Sequence, residues 1–598
     1  MATVPTEADA LRDLGARQGL LRAYEQHEDL LIFALTGRTG SGCTTAANLL
    51  TEPAYEPKLA AQYHPTPDSP ESKKYAIVKA LAENKWVPFS KITVSAILVT
   101  FLLECRRTQL ETANAALPNE RQLCKNDFKN LWETLEKIRS SAKPILDVFQ
   151  MSSSEFANYN WELHLGLKKQ IITELPQYQG DIRKVLNQKY NSFLQEIGDN
   201  LRRSGVAWES RIDDENLFIL PKRIVRAIEC IRECDKITGT RTRIVIDAIR
   251  NPLELIYLRD RYSPLYAIAI TSQEEDRKSR LFAIGYNHDD IEGIDNREYP
   301  KKHDPYASYK TLVTQDIQGC LQKADIFISN PGRSDASKSS KRQATGQLYA
   351  QLVRYYALAL HPGLVTPSRD ERCMQVAFIA KANSGCISRQ VGAAVTDEHY
   401  AVKAIGWNDV PKGQVPCSLR NADDLLTASD KISYSTFERE NDQFRDHVAR
   451  TYAARTELKK DGLPCAYCFK DAVNESYFTR GGKKGTNQIH TRSLHAEENA
   501  FLLLANSTFI RGGKLYTTAS PCELCSKKAF QLGIRDVVYI DPYPGISEPH
   551  VMANGDLSLR PILRLFNGAV GKAYHRLYEP IIPIKDELMA RMRASGLP

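Results

Sequence analysis

The pattern of hydrophobic and polar positions predicts two kinds of region in the first part of the chain. Short apolar runs flanked by turn residues occur at 30–35, 243–249, 266–271 and 325–329, and such runs are typical of buried strands. From about residue 70 to residue 235, apolar and charged residues recur at helical spacing with few turn residues. Strands separated by long helical segments predict a parallel α/β sheet with a helical insertion.

A break in the helical pattern predicts where the chain divides. The helix-like stretch 348–360 is followed by a turn-forming histidine, proline and glycine, so we expect a domain boundary near residue 365. The predicted parts are a lead-in at 1–28, a first domain at 29–365 and a second domain at 366–598. We expect the second domain to contain a helix, a β-hairpin, a loop-rich stretch and then alternating helices and strands.

Composition excludes several classes of protein. Of the 598 residues, 42% are hydrophobic and 25% are charged, which is ordinary for a globular protein and unlike a collagen-like or wholly disordered chain. The longest apolar stretches are shorter than the roughly 20 residues of a membrane-spanning helix, and the N-terminus lacks the features of a secretory signal. We therefore expect a cytoplasmic protein with no membrane partner.

Charge changes this picture little, whereas the cysteines change it more. The formal charge of +8 is a mild excess that is compatible with phosphate-bearing ligands. Thirteen cysteines, an odd number, argue against a disulfide framework in a cytoplasmic chain. Four of them form two Cys-x-x-Cys pairs, at 465/468 and at 522/525, and such clustering indicates a metal site or catalysis.

A glycine-rich segment follows the first predicted strand and matches the phosphate-loop pattern, except that Cys43 stands where the pattern has lysine. Backbone N–H groups at the start of the next helix can still cradle phosphates, and Thr44 can still reach Mg²⁺. The lost lysine is the cation that contacts the outer phosphates, so we expect nucleotide binding rather than phosphoryl transfer. A plain glycine-rich turn is the alternative. The expected nucleotide-binding residues of this loop are Gly37, Gly40, Ser41, Gly42, Cys43 and Thr44.

The most specific pattern lies in the second domain. His495 and Glu497 are two residues apart, and Cys522 and Cys525 follow in a Pro-Cys-x-x-Cys segment. One imidazole and two thiolates supply three ligands for a tetrahedral zinc ion and leave the fourth position to a water, as in catalytic zinc sites. Zinc lowers the pKa of that water from about 15.7 to about 7, so hydroxide is available at neutral pH.

Glu497 is the expected proton carrier of this site. It lies near the start of a predicted helix, 496–505, close to the metal yet free to exchange protons. Cys522 and Cys525 follow the predicted strand 515–518 and open a further helix, whose N-terminus favours thiolates. The ordered set is the signature of zinc deaminases, in which zinc hydroxide attacks C4 of cytosine.

Two upstream segments resemble the deoxycytidylate deaminase family. Residues 384–392 resemble that family's entry into its first strand, and 406–413 resembles its Gly-Tyr-Asn-Gly-x-Pro-x-Gly segment. The resemblance implies a cytidine-deaminase-like α/β/α domain and places Asn408 on the deoxyribose hydroxyl, with a turn-forming asparagine as the alternative. Two positions differ from the family's segment, since Trp407 replaces its tyrosine and Asp409 replaces its second glycine. An aspartate near a phosphate would repel it, so the number of phosphates on the substrate stays open.

The same resemblance implies a second, structural zinc site. Deoxycytidylate deaminases often hold such an ion in the segment before the catalytic helix, where this chain has Cys465 and Cys468. Cys417 and His490 are the candidate further ligands, of which the resemblance favours Cys417, and an ordinary partly buried histidine is the alternative for His490. Four ligands in a closed set suit a structural zinc ion.

The first domain resembles the deoxynucleoside monophosphate kinase and dephospho-coenzyme A kinase group. Asp247, at the end of a predicted strand, matches that group's strand-end aspartate. Arg277 and Arg280 fall where the group has lid arginines. The resemblance implies a P-loop NTPase-like parallel sheet and an Mg²⁺-nucleotide at the loop.

A kinase-like half joined to a deaminase-like half resembles the bacterial anti-phage deoxycytidine nucleotide deaminases. This resemblance implies that free dCTP and dCMP are converted to uracil nucleotides during infection, which starves phage DNA synthesis. It also implies a regulatory nucleotide at the first domain, restraint by a small inhibitory RNA and assembly into a homo-oligomer.

Three other functions stay open from the sequence. They are a housekeeping dCMP deaminase with a fused regulatory domain, a deaminase that flips a base out of RNA or DNA, and a non-catalytic nucleotide sensor. The mild charge and the segment 406–413 argue against nucleic-acid editing. The intact zinc-deaminase pattern argues against a sensor.

Overall fold

A computed structural model divides the chain into two compact units. The first unit comprises Met1–Thr366 and Lys572–Pro598, and the second comprises Pro367–Gly571. Most of the predicted lead-in, 1–28, lies outside the described residues, although residues 21–27 are described and helical. The described residues are 18–19, 21–117, 122–298, 313–332, 338–427, 430–478, 490–504, 510–542 and 547–594.

Five parallel strands of the first unit lie side by side in the order β2-β3-β1-β4-β5, which confirms the predicted parallel sheet. β2 was not predicted, because it lies within the segment expected to be helical. It pairs with β3 and buries Ile92, so tertiary pairing outweighs the local pattern there. The strands are β1 (Leu30–Thr36), β2 (Ser90–Thr93), β3 (Thr242–Asp247), β4 (Leu265–Thr271) and β5 (Ile326–Ser329).

Helices account for most of the remainder of the first unit, including the predicted insertion at 70–235. The longest of them, Lys125–Gln150, buries Phe128, Leu131 and Leu135, which recur every three or four residues on one face. Within the described residues of the whole chain, no helix has both the length and the apolar content of a membrane span. The helices are α1 (Cys43–Leu50), α2 (Pro57–Ala60), α3 (Pro70–Lys85), α4 (Val94–Glu104), α5 (Arg107–Ala115), α6 (Lys125–Gln150), α7 (Ser153–Ala157), α8 (Gly166–Lys169), α9 (Leu175–Leu186), α10 (Tyr190–Ser204), α11 (Ile219–Ile237), α12 (Pro252–Arg261), α13 (Glu274–Ala283), α14 (His288–Glu298), α15 (Ile317–Lys323) and α16 (Lys338–Leu360).

The second unit contains a mixed sheet in the order β10-β9-β8-β6-β7. β6 is antiparallel to both β7 and β8, whereas β8, β9 and β10 are parallel to one another, so the predicted β6–β7 hairpin is confirmed. The strands of this sheet are β6 (Gly392–Thr396), β7 (Val402–Trp407), β8 (Lys514–Ala519), β9 (Asp536–Asp541) and β10 (Ile562–Leu565), and the two-residue strand β11 (Gly568–Ala569) lies outside it.

Helices cover both faces of this sheet. Ala393 lies opposite Gly406 in the β6–β7 register, so the two residues share a face, and Gly392 points to the other face. A Cβ on Gly406 would lie 2.1 Å from a carbonyl oxygen of the helix Ala496–Leu502. A Cβ on Gly392 would lie 2.0 Å from a carbonyl oxygen of the helix Arg369–Ala380. The sheet is therefore the middle layer of the expected α/β/α arrangement.

Short helices between β7 and β8 enclose a separate apolar cluster. Phe444, Tyr452 and Tyr467 are buried in it together with Cys465. The helices of the second unit are α17 (Arg369–Ala380), α18 (Ala422–Leu426), α19 (Thr436–Glu440), α20 (Asp442–Val448), α21 (Thr456–Lys460), α22 (Phe469–Phe478), α23 (Ala496–Leu502) and α24 (Glu523–Gln531).

The chain ends with two helices, α25 (Gly571–Tyr578) and α26 (Ile584–Ala594). In this division residues 572–598 belong to the first unit, whereas the sequence prediction includes them in the second domain, 366–598. The physical reason lies in α26, where the Glu587 carboxylate accepts a hydrogen bond from Tyr24 at 3.0 Å and lies 2.7 Å from the His361 ring.

The close approach at Gly406 generates a stability prediction. We expect Gly406→Ala to destabilise the protein by about 2 kcal/mol, because overpacking against helix backbone typically costs 1–3 kcal/mol. Differential scanning calorimetry should show an unfolding midpoint lowered by roughly 4–8 °C. Gly180→Ala is the control, since a Cβ there meets nothing within 4 Å and the residue lies inside α9. An unchanged midpoint for Gly406→Ala would contradict the packing described.

Candidate functional site

The three predicted metal ligands lie at the starts of two helices. His495 is the N-cap residue of α23, and Cys522 is the N-cap residue of α24. Cys525 lies in the first turn of α24, where it is buried. The positive end of a helix dipole stabilises thiolates, so both cysteines occupy positions that favour their metal-binding form.

The geometry of this cluster fits a tetrahedral metal ion. The His495 Nδ1 atom lies 3.4 Å from Cys522 Sγ and 3.5 Å from Cys525 Sγ. Nitrogen and sulfur ligands of one tetrahedral zinc ion lie about 3.5 Å apart, given the usual zinc–ligand bond lengths. Among the described residues, only this set brings three such ligand atoms within 4.8 Å of one another.

Hydrogen bonds within the cluster already favour one thiolate. The pKa of the Cys522 thiol is lowered to about 4, chiefly by a hydrogen bond from Cys525 and also by one from His495. The same bonds raise the pKa of Cys525 above its usual range and raise the pKa of His495. A metal ion that displaces these shared protons finds three ligands already in contact.

Glu497 lies in the first turn of α23 and is 4% exposed. Burial raises the pKa of its carboxyl group, so the group holds a proton more readily than an exposed glutamate. Its Oε1 atom lies 3.0 Å from the Thr517 Oγ1 atom on β8. Sequence reasoning identified Glu497 but missed Thr517, whose only sequence signal is a polar residue among apolar ones on an inward strand face.

Two further contacts that sequence reasoning missed hold α23 in place. The Asn499 side chain donates a hydrogen bond to the Trp407 carbonyl oxygen at 2.8 Å, which fastens the helix to the end of β7. Glu498 forms an ion pair with Lys528 and so joins α23 to α24. The metal ligands on both helices are thereby fixed relative to the sheet.

Asn408 lies beside the segment that leads to His495. Its neighbour Asp409 exchanges backbone hydrogen bonds with Leu494, at 3.3 and 2.8 Å, immediately before the metal ligand. Asn408 is 7% exposed, its backbone carbonyl accepts a hydrogen bond from Ser384, and its Oδ1 atom has no partner among the described residues. A buried acceptor without a partner is suited to receive a ligand hydroxyl.

The Asp409 carboxylate is turned back onto its own loop. The Trp407 indole donates to one oxygen at 3.2 Å, and the Val410 backbone N–H donates to the other at 2.9 Å. Trp407 and Asp409, the two residues that differ from the family segment, are therefore in contact. The two hydrogen-bond donors partly compensate the charge of the Asp409 carboxylate.

The four residues predicted to hold a structural zinc do not form a site in the described part of the chain. Cys465 is fully buried in the apolar cluster of the short helices, and its Sγ atom lies 3.7 Å from the Arg455 carbonyl oxygen. Cys417 is close enough to Cys468 to contribute to raising the pKa of that thiol to about 12, although burial is the main cause. His490 does not complete a three-ligand set with them. Cys465 instead packs as a small apolar side chain.

The glycine-rich loop of the first unit connects β1 to α1 as its pattern predicts. Gly42 has a φ of +106°, and a Cβ there would lie 2.1 Å from the Asn330 amide nitrogen, which donates to the Ser41 carbonyl oxygen. Thr44 donates a hydrogen bond to Asp247 at 3.3 Å. Burial raises the pKa of Cys43 to about 12, so this residue supplies no charge in place of the missing lysine.

An internal carboxylate occupies the outer part of this loop. The Thr39 backbone N–H points to both oxygens of the buried Glu298, at 3.0 and 3.1 Å, and Arg250 donates to the same carboxylate at 2.8 Å. The predicted lid residues Arg277 and Arg280 lie on α13 and donate to loop carbonyl oxygens at 3.1 and 3.3 Å. This set of contacts was not expected from the sequence.

Comparison with known proteins supports the zinc-deaminase pattern of the second unit. Residues 367–541 match the family model of the cytidine and deoxycytidylate deaminase zinc-binding region. Deoxycytidylate deaminase of Schizosaccharomyces pombe is 26% identical over 244 residues, which are 40% of this chain and 59% of that protein. The phage T4 deoxycytidylate deaminase is 27% identical over 171 residues, 28% of this chain and 76% of that protein.

A crystal structure of dCMP deaminase from the cyanophage S-TIM5, in apo form, aligns with 34% of this chain and 100% of its own, at 21% identity and a TM-score of 0.19. The family model and the curated relatives show that the C-terminal part of the chain is deoxycytidylate-deaminase-like, and the matched zinc-binding region supports zinc as the metal. The chain covers 59% of the S. pombe protein's length.

The ligand geometry generates a prediction of metal content. We expect the purified protein to hold one zinc ion per chain, measured by inductively coupled plasma mass spectrometry, because the described residues form one three-ligand set. Cys525→Ser should lose most of this zinc. Cys373→Ser removes a buried cysteine outside the set and should keep it. Two zinc ions per chain that both survive Cys525→Ser would contradict the assignment.

Proposed function

We propose that this chain is a zinc-dependent hydrolase that deaminates free deoxycytidine nucleotides, dCMP or dCTP, to the uracil nucleotides. The observation that carries the proposal is a buried glutamate, Glu497, beside a histidine and two cysteines in zinc-ligand geometry. The name shared by the relatives, deoxycytidylate deaminase, supports dCMP as a substrate.

His495, Cys522 and Cys525 would hold the metal in this proposal. When bound, zinc supplies Lewis acidity and a water of lowered pKa. Glu497 takes a proton from the attacking water and delivers protons to the ring nitrogen and the leaving amine, so that water and cytosine become uracil and ammonia. Its burial supports this role, because a carboxyl group with a raised pKa accepts a proton more readily than an exposed glutamate.

Asn408 would bind the sugar of the substrate. Its Oδ1 atom, which has no partner among the described residues, can accept a hydrogen bond from a deoxyribose hydroxyl, and this supports a free nucleotide rather than a base within nucleic acid. The Asp409 carboxylate accepts hydrogen bonds from Trp407 and Val410, and these bonds reduce its repulsion of the substrate phosphates. Both dCMP and dCTP therefore stay in the proposal.

We further propose that the loop of the first unit binds a regulatory Mg²⁺-nucleotide through Gly37, Gly40, Ser41, Gly42 and the backbone of Cys43. Thr44 and Asp247 lie in contact and would hold the Mg²⁺ ion. The Glu298 carboxylate accepts the hydrogen bond of the Thr39 N–H group, so a polyphosphate that binds this N–H group must displace the carboxylate. Nucleotide binding is thus expected to compete with an internal anion.

The biological role that we propose is depletion of dCTP in anti-phage defence, with a housekeeping dCMP deaminase as the alternative. The joining of a loop-bearing α/β unit to a deaminase-like unit supports the first of these. Restraint by a small RNA, assembly into a homo-oligomer and a cytoplasmic location belong to the same proposal. Free expression should be tolerated and active for a housekeeping enzyme, and silent or toxic for a defence enzyme.

Substitution of the proton carrier tests the proposed reaction. We expect Glu497→Ala to keep its zinc and its unfolding midpoint but to lose ammonia release from dCMP and dCTP by at least about 100-fold, as for other general acid–base groups. Glu440→Ala, at an exposed glutamate of the same unit, is the control. Full activity of Glu497→Ala would contradict the mechanism. Faster release from single-stranded DNA or RNA than from free nucleotides would favour nucleic-acid editing instead.

Removal of the internal carboxylate charge tests the loop proposal. We expect Glu298→Gln to bind MgATP about 10-fold more tightly than the wild type, because the buried competing anion becomes neutral. Isothermal titration calorimetry measures this directly. Glu275→Gln changes an exposed glutamate on α13 and should leave the affinity unchanged. Weaker or equal binding by Glu298→Gln would show that the carboxylate does not compete with phosphate.

A further inference from the structure

Thr517 is a polar residue on an otherwise apolar strand face. Leu515, Thr517 and Ala519 alternate along β8 and so point to the same side of the sheet. Leu515 and Ala519 belong to the apolar core of the second unit, and Thr517 lies opposite Ala393, which belongs to it too. A hydroxyl in such surroundings costs stability unless it is hydrogen-bonded, so its presence calls for a role.

The Thr517 hydroxyl has one proton and lies near two oxygen atoms. Its Oγ1 atom is 3.0 Å from Glu497 Oε1 and 2.8 Å from the Ala519 carbonyl oxygen. Thr517 is 0% exposed, so no bulk solvent competes for these contacts. With one proton the hydroxyl donates to one of these oxygens at a time, and when it donates to Glu497 it connects a fixed position on β8 to one oxygen of the carboxylate on α23.

Glutamate needs such a contact if it is to transfer protons efficiently. The terminal torsion of a glutamate side chain is broad, so an unanchored carboxylate samples many orientations. Proton transfer needs a donor–acceptor separation of about 2.6–3.2 Å, and misplacement by about 1 Å can cost 100-fold in rate. Fixing one oxygen leaves the other in a defined place.

We propose that Thr517 is a positioning residue that fixes the Glu497 carboxylate for proton transfer, through the hydrogen bond between Thr517 Oγ1 and Glu497 Oε1. This inference rests on the proposed deaminase function of the same site. The threonine contacts neither the substrate nor the metal ligands in this role and acts only through Glu497. Its contribution should therefore appear in the rate of the chemical step and not in substrate binding.

The isosteric variant Thr517→Val tests the proposal, because it removes the hydroxyl and keeps the shape. We expect kcat for dCMP to fall about 10-fold or more, while KM changes less than about twofold, as for a group that acts only in the transition state. Thr517→Ser retains the hydroxyl and should restore most of kcat. Thr517→Ala also removes the hydroxyl but leaves a smaller side chain. A fall of kcat in both variants therefore cannot be due to a packing defect that only valine causes.

Thr396→Val is the matched control. Thr396 is equally buried, lies on β6 of the same sheet and donates a hydrogen bond to the Asp397 backbone carbonyl oxygen at 2.9 Å. It should keep the wild-type kcat. A comparable fall of kcat in Thr396→Val, or wild-type kcat in both Thr517→Val and Thr517→Ala, would overturn the proposal.

Two readouts besides turnover separate this proposal from the function on which it rests. Zinc content should be the same in the wild type and in all Thr517 variants, since no metal ligand changes. An inhibitor whose pyrimidine nucleotide carries a hydroxyl on a saturated C4 should bind Thr517→Val about 10-fold more weakly, while dUMP binding is unchanged. A wild type that deaminates no deoxycytidine nucleotide overturns the proposed function. An active wild type matched by Thr517→Val overturns only the role of Thr517.

Discussion

The metal site depends on two helices, α23 and α24, whose N-termini must lie next to each other beside β8. His495 starts α23 and Cys522 starts α24, and the three ligand atoms meet only because these starts converge. Gly406 allows α23 to approach the sheet, since any Cβ there would meet helix backbone. The ion pair between Glu498 and Lys528 then ties one helix to the other. Both helix N-termini present positive partial charge at the ligand cluster, and hydrogen bonds within the cluster favour the thiolate form of Cys522 before any metal arrives.

The second unit also buries polar groups that its apolar core does not require. Glu497 and Asn408 are both buried. The Glu497 carboxyl group has a raised pKa, and the Asn408 amide oxygen has no hydrogen-bond partner among the described residues. Asp409 is held by its own loop instead. In the first unit the corresponding anomaly is Glu298, a buried carboxylate at the end of α14 that accepts a hydrogen bond from a loop whose backbone is suited to phosphate.

The sequence predicted what short-range patterns encode and missed what long-range contacts decide. The zinc ligands and Glu497 lie in local motifs of fixed spacing, so they were identifiable, and the parallel strands followed from apolar runs. The strand β2 was missed because only pairing with β3 makes it a strand. The contact of Glu298 with Thr39 joins positions 259 residues apart, which no local pattern reveals. The structural zinc was expected from a resemblance, and its four predicted ligands do not form a three-ligand set within the described residues.

The central claim is that a metal held by His495, Cys522 and Cys525 enables this chain to deaminate free deoxycytidine nucleotides. Removal and return of the metal tests it most directly, with the conversion of dCMP and dCTP followed by mass spectrometry. The account predicts that the zinc-loaded protein forms dUMP or dUTP, that a chelator abolishes this conversion, and that zinc restores it. Conversion that persists in the metal-free protein, or no conversion of either nucleotide by the zinc-loaded protein, would contradict it.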